Sequence, residues 1–294
     1  MRWWAEETRT HPFLDWPGPL AFAHRGGAGD APENTLPAFS RAVELGYTYL
    51  ETDAHVTRDG VVYAFHDDAL DRTTDGRGRI DSLDAAVVGA ADAGHTFTPD
   101  GGRSYPWRGA GLRVPRMEEL LTAWPHVRVN IDLKSDGVVA PLVALVRRLG
   151  VVDRVCIGSF DDARIARAGA LGGPDLCLSA GPRAVARARL ASWTRLPLRL
   201  AGIRALQVPV RGGGVTLVDA RLLTAAHRAG MQVHVWTVDE APEMERLLDL
   251  GVDGVMTDRP AVLREVLERR GQWVGASVDA ARQAGVQPET VLPV

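Results

Sequence analysis

The chain has 294 residues, 46% of them hydrophobic, and a net charge of −3. That is enough apolar material for a large core in one or two domains. No basic tract exceeds a few residues, which argues against a nucleic-acid partner.

The opening segment, MRWWAEETRTHPFLDWPGP, has charges and prolines where a signal peptide needs an apolar stretch. With no run of ~18 apolar residues to span a membrane, a cytoplasmic protein is the expectation. Three tryptophans fall among the first 16 residues. They read as an arm packed on the domain, because the segment lacks the basic amphipathic face of a membrane helix.

LAFAHRG then reads as a strand, NTLPAFSRAVELG as a helix, and YLETDAHVTRDGVVYAFHD as two strand-like runs around Asp59-Gly60. Too few residues separate those runs for a parallel crossover, so Val61 to His66 is a return arm of a hairpin. A two-residue turn at Asp59-Gly60 predicts pairs summing to 119, with Asp53 opposite His66. Residues 67–116 break the rhythm, being rich in Gly, Pro, Asp and Arg. A loop so long suggests an inserted rim subdomain, with His95, Phe97, Tyr105 and Trp107 as packing material.

From about residue 117 short apolar runs (VRVNIDL, RVCIGSF, DLCLSA, ALQVPV, QVHVWTV, DGVMT) alternate with segments of helical spacing, several ending in Gly. The strands read as apolar on both faces, as in a buried parallel sheet. Eight βα units give an α/β fold, a TIM (β/α)8 barrel with an insertion after the second barrel strand. Residues 1–270 form one domain, leaving a tail over 271–294 with a short helix at DAARQAG and an extended VQPETVLPV. Cys156 and Cys177 read as reduced core residues, since two cysteines make no disulfide framework. Oligomeric state is not legible.

In such a barrel the active site lies at the C-terminal ends of the strands. There sit His24-Arg25, Glu51, Asp53, Asp132, Lys134, Ser159, Gln207, Trp236 and Asp258. Each has a plain alternative: Asp258 is placed to cap the last helix, and Trp236 to pack in the barrel. Glu51 and Asp53 are two apart on a strand and point the same way, as do Asp132 and Lys134. Three converging carboxylates call for a hard cation, Mg²⁺ or Ca²⁺, or else for a salt-bridge network with arginine. His24 and His66 near such a cluster suit acid–base work near neutral pH.

AHRGGAGDAPENTLPAF, the ExD strand with its HD arm, NIDLK, VHVWTVD and DGVMTDRP together resemble the glycerophosphodiester phosphodiesterase family, in the family's order from about Ala21 to Pro260. The resemblance implies a TIM barrel with an insertion after the second strand. It implies His24 and His66 as the acid–base pair, Arg25 on the phosphate, and Glu51 and Asp53 as metal ligands. Asp132 stands where the family usually has Glu, one methylene longer, and Glu33 of PENT would ligate the metal or act from behind the other three. Trp236 would line the glycerol pocket. The implied reaction is metal-dependent hydrolysis of a glycerophosphodiester to glycerol 3-phosphate and an alcohol. The nucleophile would be water or the glycerol 2-hydroxyl, and the histidines' individual roles stay open.

Lys134 is the only lysine in the chain; the other 33 basic residues are arginine. A compact ammonium beside a crowded metal–phosphate site, where a forked guanidinium does not fit, would account for it; a chance location is the plain alternative. Three other readings compete: a lysophospholipase D or other phosphodiesterase on the same scaffold, a non-catalytic binding module, and an aldolase-type barrel using Lys134 as a Schiff-base amine.

Overall fold

The computed structural model describes residues 11–194, 197–212 and 214–276. In chain order the barrel elements begin with β1 (Leu20–His24), α1 (Leu36–Glu44), β2 (Tyr49–Val56) and its antiparallel partner β3 (Val62–Ala64). After two short helices, α2 (Ala85–Ala90) and α3 (Met117–Ala123), come β4 (Arg128–Leu133), α4 (Val139–Arg148), β5 (Val155–Gly158), α5 (Asp162–Gly172), β6 (Cys177–Leu178) and α6 (Pro182–Thr194). The last part holds β7 (Ala205–Pro209), a small hairpin of β8 (Arg211–Gly212) and β9 (Val215–Thr216), α7 (Ala220–Arg228), β10 (Gln232–Trp236), α8 (Ala241–Leu250), β11 (Gly254–Thr257) and α9 (Pro260–Arg269).

Eight parallel strands run in the order β6-β5-β4-β2-β1-β11-β10-β7. A parallel bridge from Ser179 to Ala205 joins the two ends, so the expected TIM barrel closes. Arg204 N donates to Leu178 O at 2.9 Å, and Ala180 N to Ala205 O at 2.9 Å, across that seam. The helices show why they form. α1 is capped by Thr35, whose hydroxyl accepts from Ala38 N, and Pro37 sits in its first turn. α8 buries Met244, Leu247 and Leu248, a stripe of helical spacing, and stops at Gly251, whose φ of 93° needs no Cβ. The helix–strand core is mostly aliphatic on both sides of the barrel.

The inner face differs from the expectation of strands apolar on both sides. Gln207 Nε2 donates to Asn130 Oδ1 at 2.8 Å and lies 3.4 Å from His234 Nδ1, while His234 Nε2 is 2.9 Å from Gln232 Oε1. β4, β7 and β10 thus meet through polar side chains inside the barrel. Burial pushes His234 down to about 3, so it is a neutral hydrogen-bonding group there. Lower in the barrel Phe13 and Leu14 pack with Phe22, Tyr49, Cys156 and Cys177. The described part of the N-terminal arm is therefore packed on the domain, and both cysteines are buried and free. Trp3, Trp4 and the tail from residue 277, with its expected helix, lie outside the described residues.

The β2–β3 hairpin corrects the expected register. Ala54 faces Ala64, His55 faces Tyr63 and Val56 faces Val62, so pairs sum to 118. Gly60, at φ 87°, extends the turn to three residues, Arg58 to Gly60, between Thr57 and Val61, which are joined by Thr57 N to Val61 O. Asp53 consequently lies opposite Phe65, whose N–H donates to its carbonyl, and not opposite His66.

The segment after β3 has a small core of its own, of Tyr63, Phe65, Leu70, Ile80, Ala85, Val88 and Val114. The aromatics expected to pack it contribute less: Tyr105 is exposed, and His95, Phe97 and Trp107 are only half-buried. Short aliphatic side chains on 3₁₀ turns and α2 fill the space instead. No helix among the described residues is long and apolar enough to cross a membrane.

Candidate active site

His24, Arg25, Glu51, Asp53, Asp132, Lys134 and Asp258 arrive together at one end of the barrel, whereas Gln207 sits within it, bonded to Asn130. His24 closes β1 and is paired in register with Glu51 on β2; Asp53, two residues on, is paired with Asp132 on β4. Glu51 and Asp53 are almost wholly buried. Lys134 stands just past β4, with Nζ 2.9 Å from Asp53 Oδ1 and 2.7 Å from Asp132 Oδ2.

The loop after β1 is shaped by backbone that most residues avoid. Arg25 has φ 51°, Gly26 84° and Gly27 99°. A Cβ on Gly26 would lie 2.9 Å from Ala38 backbone, so glycine is required there for both reasons. The turn points Arg25 N at Glu51 Oε2, 3.2 Å away, and its guanidinium at Glu33 and Asp53. Asn34, itself at φ 56°, donates to Asp53 Oδ2 at 3.0 Å and accepts from Thr52 Oγ1 at 2.7 Å. The Asn of PENT therefore holds the ExD strand in place, a role not assigned from the sequence.

Both histidines are held by an aspartate through Nδ1. His24 Nδ1 is 2.7 Å from Asp258 Oδ1, and His66 Nδ1 is 2.6 Å from Asp67 Oδ1. Asp258 binds His24, and the helix-capping alternative fails: α9 has no side-chain cap bond. Asp67 was missed, although the adjacent pair His66-Asp67 is plain in the sequence. With Nδ1 of each ring bound to an aspartate, Nε2 is the nitrogen that remains. His24 Nε2 lies 3.8 Å from Glu51 Oε2. His66 also neighbours Asp53 and Asp132. The hairpin reaches the site even though the register is shifted by one, because the chain leaves the ladder after Phe65.

The electrostatics follow from crowding. Burial works against charge on His24, but Glu51 and Asp258 outweigh it and lift the imidazole to about 9. Burial pushes Glu51 up to about 7, with His24 drawing it down and Asp53 adding to the rise. Asp53 is lowered: burial opposes its charge, yet Lys134 and Arg25 prevail. Asp132, largely buried, is raised, and Lys134 offsets only part of that.

Glu33 is taken up entirely by arginine. Arg25 Nη1 donates to its Oε1 at 2.9 Å, and Arg72 donates to both of its oxygens at 2.7 and 2.9 Å. Among the described residues no three His, Cys, Asp or Glu side chains are gathered as a metal centre; Lys134 bridges Asp53 and Asp132. Across the mouth Trp236 makes an edge-on contact with Phe160, ring centres 5.5 Å apart, and Phe160 is 64% exposed. Phe160 also lies 5.7 Å from Lys134 Nζ, and no sequence signal had marked it.

Comparison with known proteins points to one family. The model of the glycerophosphoryl diester phosphodiesterase family matches residues 24–262. A probable glycerophosphodiester phosphodiesterase 2 of Mycobacterium tuberculosis is 40% identical over 91% of this chain and 97% of its own length. A glycerophosphodiester phosphodiesterase of Caldanaerobacter subterraneus is 30% identical over 86% of this chain and 99% of its own. Among solved structures, a glycerophosphoryl diester phosphodiesterase assigned in Silicibacter pomeroyi superposes with a TM-score of 0.73 at 27% identity, covering 88% of this chain and 97% of that one.

Proposed function

The chain belongs to the glycerophosphoryl diester phosphodiesterase family and is a phosphoric diester hydrolase; from that premise we propose that it cleaves glycerophosphodiesters by two-histidine acid–base catalysis at a metal-assisted site. The observation that carries this reading is the pair of aspartate-held histidines, His24–Asp258 and His66–Asp67, set at one cluster of buried carboxylates and cations.

Arg25 and Lys134 would meet the phosphate and stabilise its developing charge. One histidine takes a proton from the attacking hydroxyl, of water or of the glycerol moiety, as the new P–O bond forms. The other donates a proton to the departing alcohol as the old P–O bond breaks. The Trp236–Phe160 pair offers the apolar wall against which the glycerol or alcohol carbons would lie. Attack by water gives glycerol 3-phosphate and the free alcohol directly; attack by the glycerol hydroxyl releases the alcohol and leaves a cyclic phosphate, which a water then opens to glycerol 3-phosphate.

The donor set fits a hard divalent cation. Glu51, Asp53 and Asp132 present only oxygens and stand, largely buried, on the neighbouring strands β2 and β4. Asp132 Oδ2 and Arg25 Nε are both buried without a well-directed hydrogen bond, despite ion contacts at 2.7 and 3.4 Å. These three carboxylates would hold Mg²⁺ or Ca²⁺, which when bound would neutralise phosphate charge.

Two measurements test the reading. Glycerophosphocholine should release glycerol 3-phosphate faster than lysophosphatidylcholine releases choline; the reverse order would make this a lysophospholipase D. Lys134→Arg should lower turnover on glycerophosphocholine at least ~10-fold, because a guanidinium cannot occupy the space of an ammonium between Asp53 and Asp132. A variant retaining most of the activity would overturn the steric account of the lone lysine.

A further inference from the structure

Arg72 lies outside the barrel, on a 3₁₀ turn, Leu70–Arg72, of the inserted segment. That turn is anchored from below. Leu70 is fully buried in the insertion's own core. Thr74 Oγ1 donates to Leu70 O at 2.9 Å, and Leu70 N and Ile80 N bond across to Gly78 O and Asp68 O.

From this fixed base the guanidinium makes four hydrogen bonds to two carboxylates. Its Nε and Nη2 reach Asp67 Oδ2 and Oδ1 at 2.6 and 3.0 Å, and its Nη1 and Nη2 reach Glu33 Oε2 and Oε1 at 2.9 and 2.7 Å. Each carboxylate in turn holds one working side chain of the site. Asp67 Oδ1 is 2.6 Å from His66 Nδ1, and Glu33 Oε1 accepts from Arg25 Nη1 at 2.9 Å.

The Arg72 side chain is 48% exposed, so these ion pairs add little to stability. What a planar fork adds is direction: two bidentate contacts fix both carboxylates in angle as well as distance. We infer that Arg72 is a positioning residue that sets His66 and Arg25 relative to one another, through Asp67 and Glu33. The insertion thereby governs how the acid–base group and the phosphate grip are aligned. The inference rests on the roles proposed above for His66 and Arg25.

Steady-state kinetics on glycerophosphocholine, with calorimetric binding of glycerol 3-phosphate, tests it. Arg72→Ala should lower kcat and raise KM, each by ~10-fold, as expected when reacting groups drift by a fraction of an ångström. Its thermal midpoint should stay near wild type. Arg72→Lys should recover little, since an ammonium has no fork with which to hold two carboxylates. Asp67→Asn should lower kcat with little change in KM, and adding Arg72→Ala to it should cost less in kcat than the product of the single effects. Affinity for glycerol 3-phosphate should fall in Arg72→Ala and not in Asp67→Asn.

Wild-type kcat and KM in Arg72→Ala, full rescue by lysine, or strictly multiplicative kcat losses would overturn the inference. So would a loss of activity matched by the fraction of protein unfolded. If the wild-type protein released no glycerol 3-phosphate, the reaction assignment would fail by itself. The calorimetry would still decide on Arg72, with unchanged affinity in Arg72→Ala counting against it.

Discussion

His24→Ala and His66→Ala are each expected to lower kcat on glycerophosphocholine by ~10²-fold or more, with the protein still folded. Neither ring contributes much to the core: His24 is held at the barrel mouth by Asp258, and His66 is partly exposed beside Asp67. The loss should therefore appear in turnover and not in the denaturation midpoint. The two substitutions together should cost less than the product of the single effects, because once one proton transfer is lost the other no longer has a concerted partner. Single variants within a few-fold of wild type would remove the acid–base assignment. The aspartates provide an internal control. Asp258→Asn leaves His24 in place but removes the charge that favours its protonated form, so a smaller loss than His24→Ala is expected.

Lys134→Ala is expected to do two things at once. It removes the cation proposed to meet the phosphate, which should lower kcat by ~10²–10³-fold. It also strips the ammonium from Asp53 and Asp132, both largely buried, leaving two carboxylates facing one another across β2 and β4. Breaking a buried pair from one side typically destabilises by about 3–5 kcal/mol. Urea denaturation and kinetics read these effects separately. A stable but inactive variant would mean that another cation neutralises the carboxylates; an unstable but active one would take Lys134 out of the chemistry. Added Mg²⁺ should restore part of the stability if the carboxylates hold a divalent ion, because a ligand that binds only the folded state stabilises it.

Much of the site was legible because β-strand geometry is simple. Residues two apart share a face, so Glu51 with Asp53, and Asp132 with Lys134, could be grouped before any contact was known. The eightfold alternation of strands and helices leaves few topologies other than a barrel. Local turn chemistry was harder. Asp59-Gly60 suggested a two-residue turn, but Thr57 Oγ1 bonds Asp59, Asp59 also accepts from Ala85 N, and Gly60 takes the left-handed conformation, which together favour three. The partner that decides this, α2, lies 26 residues downstream in the insertion.

The polar inner face was readable in principle. QVHVW alternates Gln232, Val233, His234, Val235 and Trp236 with period two, yet the valines dominated the reading of the run as uniformly apolar. The missed partners divide by distance. Asp67 is adjacent to His66 and was available as a neighbour. Asp258 is 234 residues from His24 and meets it only because β11 lies beside β1 when the barrel closes. Arg72 depends on an irregular segment whose aliphatic core has no periodicity, so nothing in the sequence pointed it at Glu33.

The central claim is that a buried carboxylate cluster with two histidines hydrolyses glycerophosphodiesters with the help of a divalent ion. It is tested most directly by measuring glycerol 3-phosphate released from glycerophosphocholine by chelator-stripped protein, before and after restoring Mg²⁺ or Ca²⁺. Release that is absent in the stripped protein and returns with either ion is the predicted result. Undiminished release without metal would contradict the role given to Glu51, Asp53 and Asp132, and no release under any condition would contradict the substrate.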